Sequence, residues 1–276
     1  MRIQRSKDCP GCWALLGLRG ERRTTHYDDV TTNLDAPTVY QTFDPEDNLW
    51  GGDASLDYTI GQGQHLYALI ARGYKAAGFN LSPGLPANQV LFGPENDLNY
   101  EIGHKALLAG GSLRSDTSIF YMERHSEQLL TGEQLVPNNP NTFIFYTGNA
   151  KSGYNYGLEE SLAWRAAPTL TLGGSLGLLQ TLYRGFMQNG VVFPDRALPH
   201  APAWQAALNA TWRDPKGPFA RLDVTGMGSF FYDLPPNWTR SNSYFYFGDQ
   251  PPNFPNTLYT QLGDPRNFGV HLTVYY

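Results

Sequence analysis

The fold is decided by the stretch Trp204-Gln205-Ala206-Ala207-Leu208-Asn209-Ala210-Thr211-Trp212. Its alternate positions, from Trp204 to Trp212, form an apolar face with a tryptophan at each end. The opposite face carries Gln205, Asn209 and Thr211. Strict alternation of this kind predicts a β-strand that has one apolar face. The same pattern occurs in residues 50–58 and again in residues 268–276, where the chain ends.

Aromatic side chains stand at both ends of these apolar stripes. Amphipathic rings settle at the two water interfaces of a bilayer, so this placement is typical of strands that cross a membrane. A soluble β-sandwich also alternates, but it has no reason to put Trp and Tyr at both margins of one face. The pattern therefore predicts membrane-interface aromatics at Trp50, Tyr58, Trp164, Trp204, Trp212 and Tyr276.

Composition excludes two other classes of protein. Aromatic residues make up 14% of the chain and charged residues only 16%, against about 25% charged in ordinary soluble domains. No stretch approaches the roughly 20 consecutive apolar residues that a membrane-spanning helix needs, which leaves strands as the crossing element. The net charge of -5 offers no basic surface for nucleic acid.

Period-two alternation predicts ten strands, and the connections between them alternate between short and long. Short periplasmic turns and long extracellular loops are the rhythm of an up-and-down outer-membrane barrel. The last strand follows a long loop, so the C-terminal Tyr276 is expected on the periplasmic side. The predicted strands are residues 13–22, 50–58, 65–74, 97–105, 113–122, 155–164, 169–181, 203–212, 218–231 and 267–276.

Polar residues between the apolar positions are expected to face the lumen, where water solvates them. One residue disagrees with this division. Glu160 shares its face with Leu158, Leu162 and Trp164, so the pattern places a carboxyl group against lipid. The predicted lumen-facing residues are Asp53, Asp57, Glu159, Arg221 and Asp223.

Residues 1–12 are predicted to be an irregular leader, without the apolar run of a signal peptide. Cys9 and Cys12 lack the further ligands that a zinc site requires, so no metal and no cofactor are expected. Ser175 stands in a G-x-S-x-G pattern, but it lies inside an alternating strand, whereas a nucleophile elbow needs a strand-to-helix turn. We therefore predict no catalytic residues and no enzyme.

Five segments, in this order, resemble the C-terminal part of TonB-dependent receptors. Each is weak alone, and together they extend the resemblance from about Trp13 to the end of the chain. They are Gly73-Tyr74-Lys75-Ala76-Ala77-Gly78-Phe79-Asn80, Pro94-Glu95 followed by Asn99-Tyr100-Glu101-Ile102-Gly103-His104-Lys105, Phe120-Tyr121, Asn155-Tyr156-Gly157-Leu158-Glu159 and Gly263-Asp264-Pro265-Arg266-Asn267-Phe268-Gly269.

The resemblance implies an all-β, antiparallel, up-and-down transmembrane barrel in residues 13–276. A receptor of this family takes up an iron-siderophore or a similar large ligand across the outer membrane, with lipid and the TonB complex as partners. Its barrel has 22 strands around a plug domain. Against this pattern, we expect no plug domain and about ten strands in this chain, with two family strands missing between Ser241 and Phe247. We therefore predict an incomplete or open barrel.

Aromatic segments in the long loops are candidates for ligand contact, with a membrane-interface role as the alternative. They are Phe143, Phe145 and Tyr146 in one loop and Phe230, Phe231 and Tyr232 in another. Two other readings of the whole chain stay open at this point. One is a self-standing ten-stranded porin or adhesin-like barrel, and the other is a soluble β-sandwich that binds carbohydrate through exposed aromatic side chains.

Overall fold

The computed structural model describes residues 2–5, 11–33, 36–81, 85–134, 136, 143–188, 191–231, 240–241, 245–249 and 259–262. Ten strands form one antiparallel sheet, in which each strand pairs with the next one along the chain. They are β1 (Arg2–Arg5), β2 (Cys12–Thr24), β3 (Glu46–Gly61), β4 (Gln64–Lys75), β5 (Glu95–Leu108), β6 (Leu113–His125), β7 (Ser152–Ala167), β8 (Leu170–Arg184), β9 (Trp204–Arg213) and β10 (Phe219–Met227).

The strands β2–β10 confirm nine of the predicted strands. Several run beyond the apolar stripe that predicted them, because the backbone ladder continues into polar residues: β3 begins four positions before Trp50. The last of the nine, predicted to reach Phe231, ends at Met227. The tenth predicted strand, residues 267–276, lies outside the described residues.

A four-residue strand forms inside the segment predicted as an irregular leader. Arg2–Arg5 pairs with Trp13–Leu16 of β2 and becomes the first strand of the sheet. The segment carries no alternation to reveal it. An edge strand presents a row of free backbone N–H and C=O groups, and a short extended segment can pair with that row whatever its side chains are.

The connections confirm the predicted alternation of length. Short turns join β3 to β4, β5 to β6, β7 to β8 and β9 to β10, and Gly63 and Gly217 adopt the positive φ that such turns require. The other end of the sheet, which we call the long-loop end, carries hairpins and a short helix. These pieces are Tyr27–Asn33 with Ala36–Phe43, Gly78–Phe79 with Leu91–Phe92, Ala87–Val90 (α1), Gln128–Gln134 with Phe143–Asn149, Met187–Gln188 with Val191–Val192, and Phe230–Phe231 with Arg240–Ser241.

Two smaller elements complete the description. A 3₁₀ turn, Ala109–Gly111, lies between β5 and β6, and Phe245–Asp249 pairs with Tyr259–Leu262. Among the described residues no helix is long and apolar enough to cross a membrane.

The sheet is open in the part of the chain that the structure describes. Its edges are β1 and β10, which confirms the expectation of an incomplete or open barrel. A β-sandwich needs two sheets packed face to face, whereas these ten strands form a single sheet. Apart from Ala106, which lies near the short turn after β5, the buried apolar residues belong to the long-loop end, and large apolar side chains cover one face of the sheet in exposed positions.

Candidate functional site

One face of the sheet, which we call the apolar face, carries large exposed aliphatic side chains. Ile102 of β5 pairs with Ile119 of β6, and their side chains are 66% and 60% exposed. Leu208 of β9 pairs with Val224 of β10, and both are exposed as well. Soluble monomers rarely show a contiguous apolar surface of this extent, so this face is suited to contact with lipid or protein.

Aromatic side chains mark both ends of the apolar face. Trp50 and Tyr58, Tyr156 and Trp164, and Trp204 and Trp212 are each separated by eight positions on a single strand. Eight residues of strand span roughly 26 Å, and a tilt of about 40° reduces this to roughly 20 Å, close to the height of the lipid-facing band in outer-membrane barrels. All of these rings are half exposed.

A row of tyrosines continues the aromatic end across three strands. Tyr100 of β5 pairs with Tyr121 of β6, which pairs with Tyr156 of β7, and all three side chains are exposed on the apolar face. All three belong to segments that carried the resemblance, but the sequence analysis gave them no interface role, because only the register shows that they are neighbours.

Glu160 lies on the apolar face, halfway between Tyr156 and Trp164 on β7. Its carboxyl oxygens accept hydrogen bonds from two hydroxyl groups of β6: Ser115 Oγ donates over 2.9 Å, and Thr117 Oγ1 donates to the other oxygen. Thr117 is also the register partner of His104 on β5. The carboxyl group that conflicts with the alternation is therefore held by donors that face the same way.

The opposite face of the sheet is polar. Asp53 and Asp57 alternate with Trp50, Leu56 and Tyr58 along β3, and Glu159 is exposed beside Glu160. The polar groups of this face pair with each other: Arg221 Nη2 lies 2.6 Å from Asp223 Oδ1 on β10. Tyr67 Oη of β4 donates to Glu101 Oε1 of β5 over 2.5 Å.

The long-loop end holds two small apolar cores. Leu85, Val90 and Tyr146 are buried together, and Tyr27 and Phe79 stack beside them with ring centroids 4.0 Å apart. Leu129, Ala150, Tyr183 and Phe186 form the second core. Loops that are distant in sequence therefore pack on one another rather than extending separately.

Amide side chains join two of these loops where no strand ladder does. Asn80 Nδ2 donates to Thr147 O over 2.9 Å, and Thr147 N donates back to Asn80 Oδ1 over 2.7 Å. The carbonyl oxygen of Gly93 accepts from both Gln128 Nε2 (3.0 Å) and Asn149 Nδ2 (3.1 Å). The segment of residues 76–94 and the hairpin of residues 128–149 are thus tied at two places.

A buried charged group, which we call the rim cluster, lies where β5 and β6 reach the loops. It consists of Glu95, Arg124 and Glu127. Arg124 donates to both carboxylates, with Nε 2.8 Å from Glu95 Oε1, and Glu95 also accepts from the backbone N–H of Gln128 over 2.9 Å. Sequence analysis assigned this cluster no role, although Pro94-Glu95 was one of the segments that carried the resemblance.

An exposed histidine at the base of the first long hairpin lies between two carboxylates. His26 Nδ1 is 2.5 Å from Asp44 Oδ1, and its Nε2 is 3.1 Å from Asp28 Oδ2. These contacts, with Asp44 first, raise the pKa of His26 above its ordinary value. Within the described residues, however, no three His, Cys, Asp or Glu side chains are grouped to hold a metal ion.

The candidate ligand contacts fall in three different environments. Phe145 is 51% exposed on its hairpin, whereas its neighbour Tyr146 is 5% exposed and belongs to a loop core. Phe230 and Phe231 are half buried, and the guanidinium of Arg196 lies 4.3 Å from the ring centroid of Phe231. The Phe143 side chain, Tyr232 and the interface candidate Tyr276 are outside what the structure describes.

Ser175 lies in the middle of β8, with Ser161 and Ala207 as its register partners. The strand continues without a turn to Arg184, so the geometry of a nucleophile elbow is not present at this residue. Cys12, at the start of β2, is disulfide-bonded.

Comparison with known proteins gives a consistent match. A family model described as TonB dependent receptor-like, beta-barrel, matches residues 13–276. The pesticin receptor of Yersinia pestis is 26% identical over 186 residues, which cover 66% of this chain and 26% of the receptor. The pesticin receptor of Yersinia enterocolitica is 27% identical with the same coverage.

Solved structures show the same fold. The ferric yersiniabactin uptake receptor of Yersinia pestis superposes with a TM-score of 0.63 and 19% identity, covering 91% of this chain and 34% of that one. A siderophore receptor of Acinetobacter baumannii superposes with a TM-score of 0.67 and 17% identity, covering 86% of this chain and 34% of that one. A copper transporter superposes with a TM-score of 0.65 and 16% identity, covering 84% of this chain and 34% of that one.

Proposed function

Because the chain belongs to the TonB-dependent receptor β-barrel family, we propose that it forms part of the barrel wall of an outer-membrane receptor for TonB-dependent uptake of an iron-siderophore or a similar large ligand. The family consists of outer-membrane receptors and transporters rather than enzymes. The observation that carries the proposal is the family match over residues 13–276.

The geometry of the sheet supports this assignment. The aromatic pairs on β3, β7 and β9 limit the apolar face to a height that fits a bilayer, and lipid is the partner that this face requires. The polar face, with Asp53, Asp57, Glu159, Arg221 and Asp223, then lines the lumen. In this proposal the short turns lie in the periplasm and the long loops outside the cell, and the length rhythm of the sequence puts the C-terminal Tyr276 on the periplasmic side.

The chain spans 26% of the length of the curated relatives that it matches. The sheet has ten strands in the part of the chain that the structure describes, against the 22 that barrels of this class contain. We accordingly propose a section of a receptor barrel rather than a complete transporter. Coupled uptake would also require a plug and a segment that contacts TonB.

Ligand contact is proposed for Phe145 in one long loop and for Phe230 and Phe231 in another. Exposed or half-buried rings at the long-loop end offer apolar area to a large ligand with little loss of side-chain entropy. Tyr146 packs inside a loop core and contributes by holding the hairpin that presents Phe145.

A membrane-assembly experiment tests the location. The full chain is expressed behind an export signal in a Gram-negative host, and the cell fractions are compared. We expect the chain in the outer membrane, released only by detergent. A soluble β-rich monomer that needs no detergent would contradict the membrane assignment.

A chimera tests the uptake function. The matched part of the Yersinia pestis pesticin receptor is replaced by this chain, and growth under iron limitation is measured in hosts with and without TonB. We expect growth that depends on TonB. Assembly of the chimera with growth that ignores TonB would contradict the proposal.

A further inference from the structure

The rim cluster contains an ionisable group that the proposed uptake function does not use. Glu127 lies two residues after the end of β6 and directly before the hairpin that Gln128–Gln134 forms with Phe143–Asn149. Its side chain is 0% exposed, and its Oε2 atom has no hydrogen-bond partner among the described residues. A buried carboxylate oxygen without a donor is costly when it carries charge.

The backbone around Glu127 fixes its position. Ala150 N donates to Glu127 O over 2.8 Å, and Ser126 N donates to Lys151 O over 3.2 Å. On the other side, Gly153 of β7 leaves the space that Glu127 fills, because a Cβ at that position would collide with Oε2. The side chain therefore cannot reach solvent while the hairpin is packed on the strands.

Compensation for a charge on Glu127 is incomplete. Among the described residues Arg124 is the cation in direct contact with Glu127, and it also binds Glu95, so this guanidinium serves two buried carboxylates. Lys75 of β4 lies 3.5 Å from Glu95 but is 59% exposed, and on β8 the register partner of Gly153 is Tyr183. Burial, opposed by Arg124 and reinforced by Glu95, raises the pKa of Glu127 to about 7.

We propose that Glu127 is a proton-operated latch for the long loops: when protonated it holds the hairpin of residues 128–149 closed on the rim of the sheet, and when ionised it favours the open hairpin. This inference concerns loop motion and is independent of the proposed uptake function. The hairpin carries Phe145, and the amide contacts of Asn80 and Asn149 join it to the segment of residues 76–94.

The direction of the pH effect follows from the thermodynamic linkage between protonation of Glu127 and opening of the hairpin. A carboxyl group whose pKa is higher in the closed state than in the open state stabilises closure most at low pH, and that stabilisation is lost as pH rises. Between an ordinary value of 4.5 when open and about 7 when closed, the opening equilibrium is expected to rise on the order of 10²-fold from pH 5 to pH 8.

Amide hydrogen exchange of the full chain in detergent micelles, read by mass spectrometry, tests the latch. After correction for intrinsic exchange, we expect protection of the Gln128, Thr147 and Ala150 amides, which bond from the hairpin and its end to the rim and the neighbouring loop, to fall on the order of 10²-fold between pH 5 and pH 8. Protection of β5 and β6 should stay constant, which separates local opening from global unfolding. Unchanged hairpin protection would overturn the proposal.

Three variants isolate the group responsible. Glu127→Gln keeps the shape of the side chain and cannot ionise, so the hairpin should stay protected at pH 8. Lys75→Met removes an exposed cation that favours ionisation, so the transition should move to higher pH. Asp195→Asn changes a carboxylate that is 50% exposed in another long loop and should leave the profile unchanged. A wild-type pH profile in Glu127→Gln would refute the latch.

Discussion

The carboxyl group of Glu160 makes a quantitative prediction, because it lies at mid-depth on the apolar face beside two hydroxyl donors. Thr117→Val removes one donor and keeps the shape of the side chain. A hydrogen bond to a carboxyl group contributes about 1–3 kcal/mol, and lipid supplies no replacement donor. We therefore expect Thr117→Val to lower the free energy of unfolding by about 1–3 kcal/mol.

The opposite effect is expected when the carboxyl group itself is removed. A charged side chain on the lipid face costs up to about 2–4 kcal/mol at mid-depth, with acidic residues at the lower end. Glu160→Leu should therefore be neutral or stabilise the chain by up to about 2 kcal/mol. Thr117→Val should then cost less than about 0.5 kcal/mol in the Glu160→Leu background, because the acceptor is gone.

Denaturant unfolding of the full chain from phospholipid bilayers, followed by tryptophan fluorescence, measures all four members of this cycle. Glu159→Leu is the matched control: the residue is adjacent, exposed, and on the polar face. It should change stability by less than about 0.5 kcal/mol. A coupling energy near zero between positions 117 and 160, or a loss of stability in Glu160→Leu, would refute the assignment of the faces.

The remaining predictions concern other parts of the sheet and loops. Leu208→Arg should reduce assembly in membranes by about 2–4 kcal/mol while Asn209→Arg is tolerated, and equal effects in a bilayer-folding assay would show the faces inverted. Gly157→Ala should cost about 1–3 kcal/mol in the same assay, since its Cβ would collide with a backbone carbonyl of β8, whereas Gly177→Ala meets nothing within 4 Å and should be nearly neutral. The raised pKa of His26 should appear in an NMR titration as a midpoint above the ordinary histidine value. The contribution of His26 to loop stability should be lost as pH rises through that midpoint. A midpoint below the ordinary value would contradict the contacts with Asp28 and Asp44.

The sheet was predictable because its signal is local. Alternation along a single strand, as in Trp204 to Trp212, determines which side chains share a face. Aromatic side chains are favoured at the two water interfaces of a bilayer, and therefore at both ends of the apolar face. Strand ends were less predictable, since the ladder of β3 continues past Trp50 into polar residues that carry no such signal.

The contacts of the long-loop end were not predictable from a local pattern. Glu95 begins β5, whereas Arg124 and Glu127 lie at the end of β6 and just beyond it, so the three meet only after these two strands have paired. Tyr146 looks like its exposed neighbour Phe145 in the sequence, and its burial depends on residues of two other loops. Alternation places both rings on a strand but does not say what covers each face.

The shared carbonyl of Gly93 has a mechanical consequence. Gln128 and Asn149 lie at the two ends of one hairpin, and both donate to the same oxygen atom in a different loop. A force that lifts the tip of the hairpin is therefore transmitted through both ends of it to the segment that leads into β5. The two loops are therefore expected to move together, and in the proposed receptor a ligand that displaces Phe145 would also displace the start of β5.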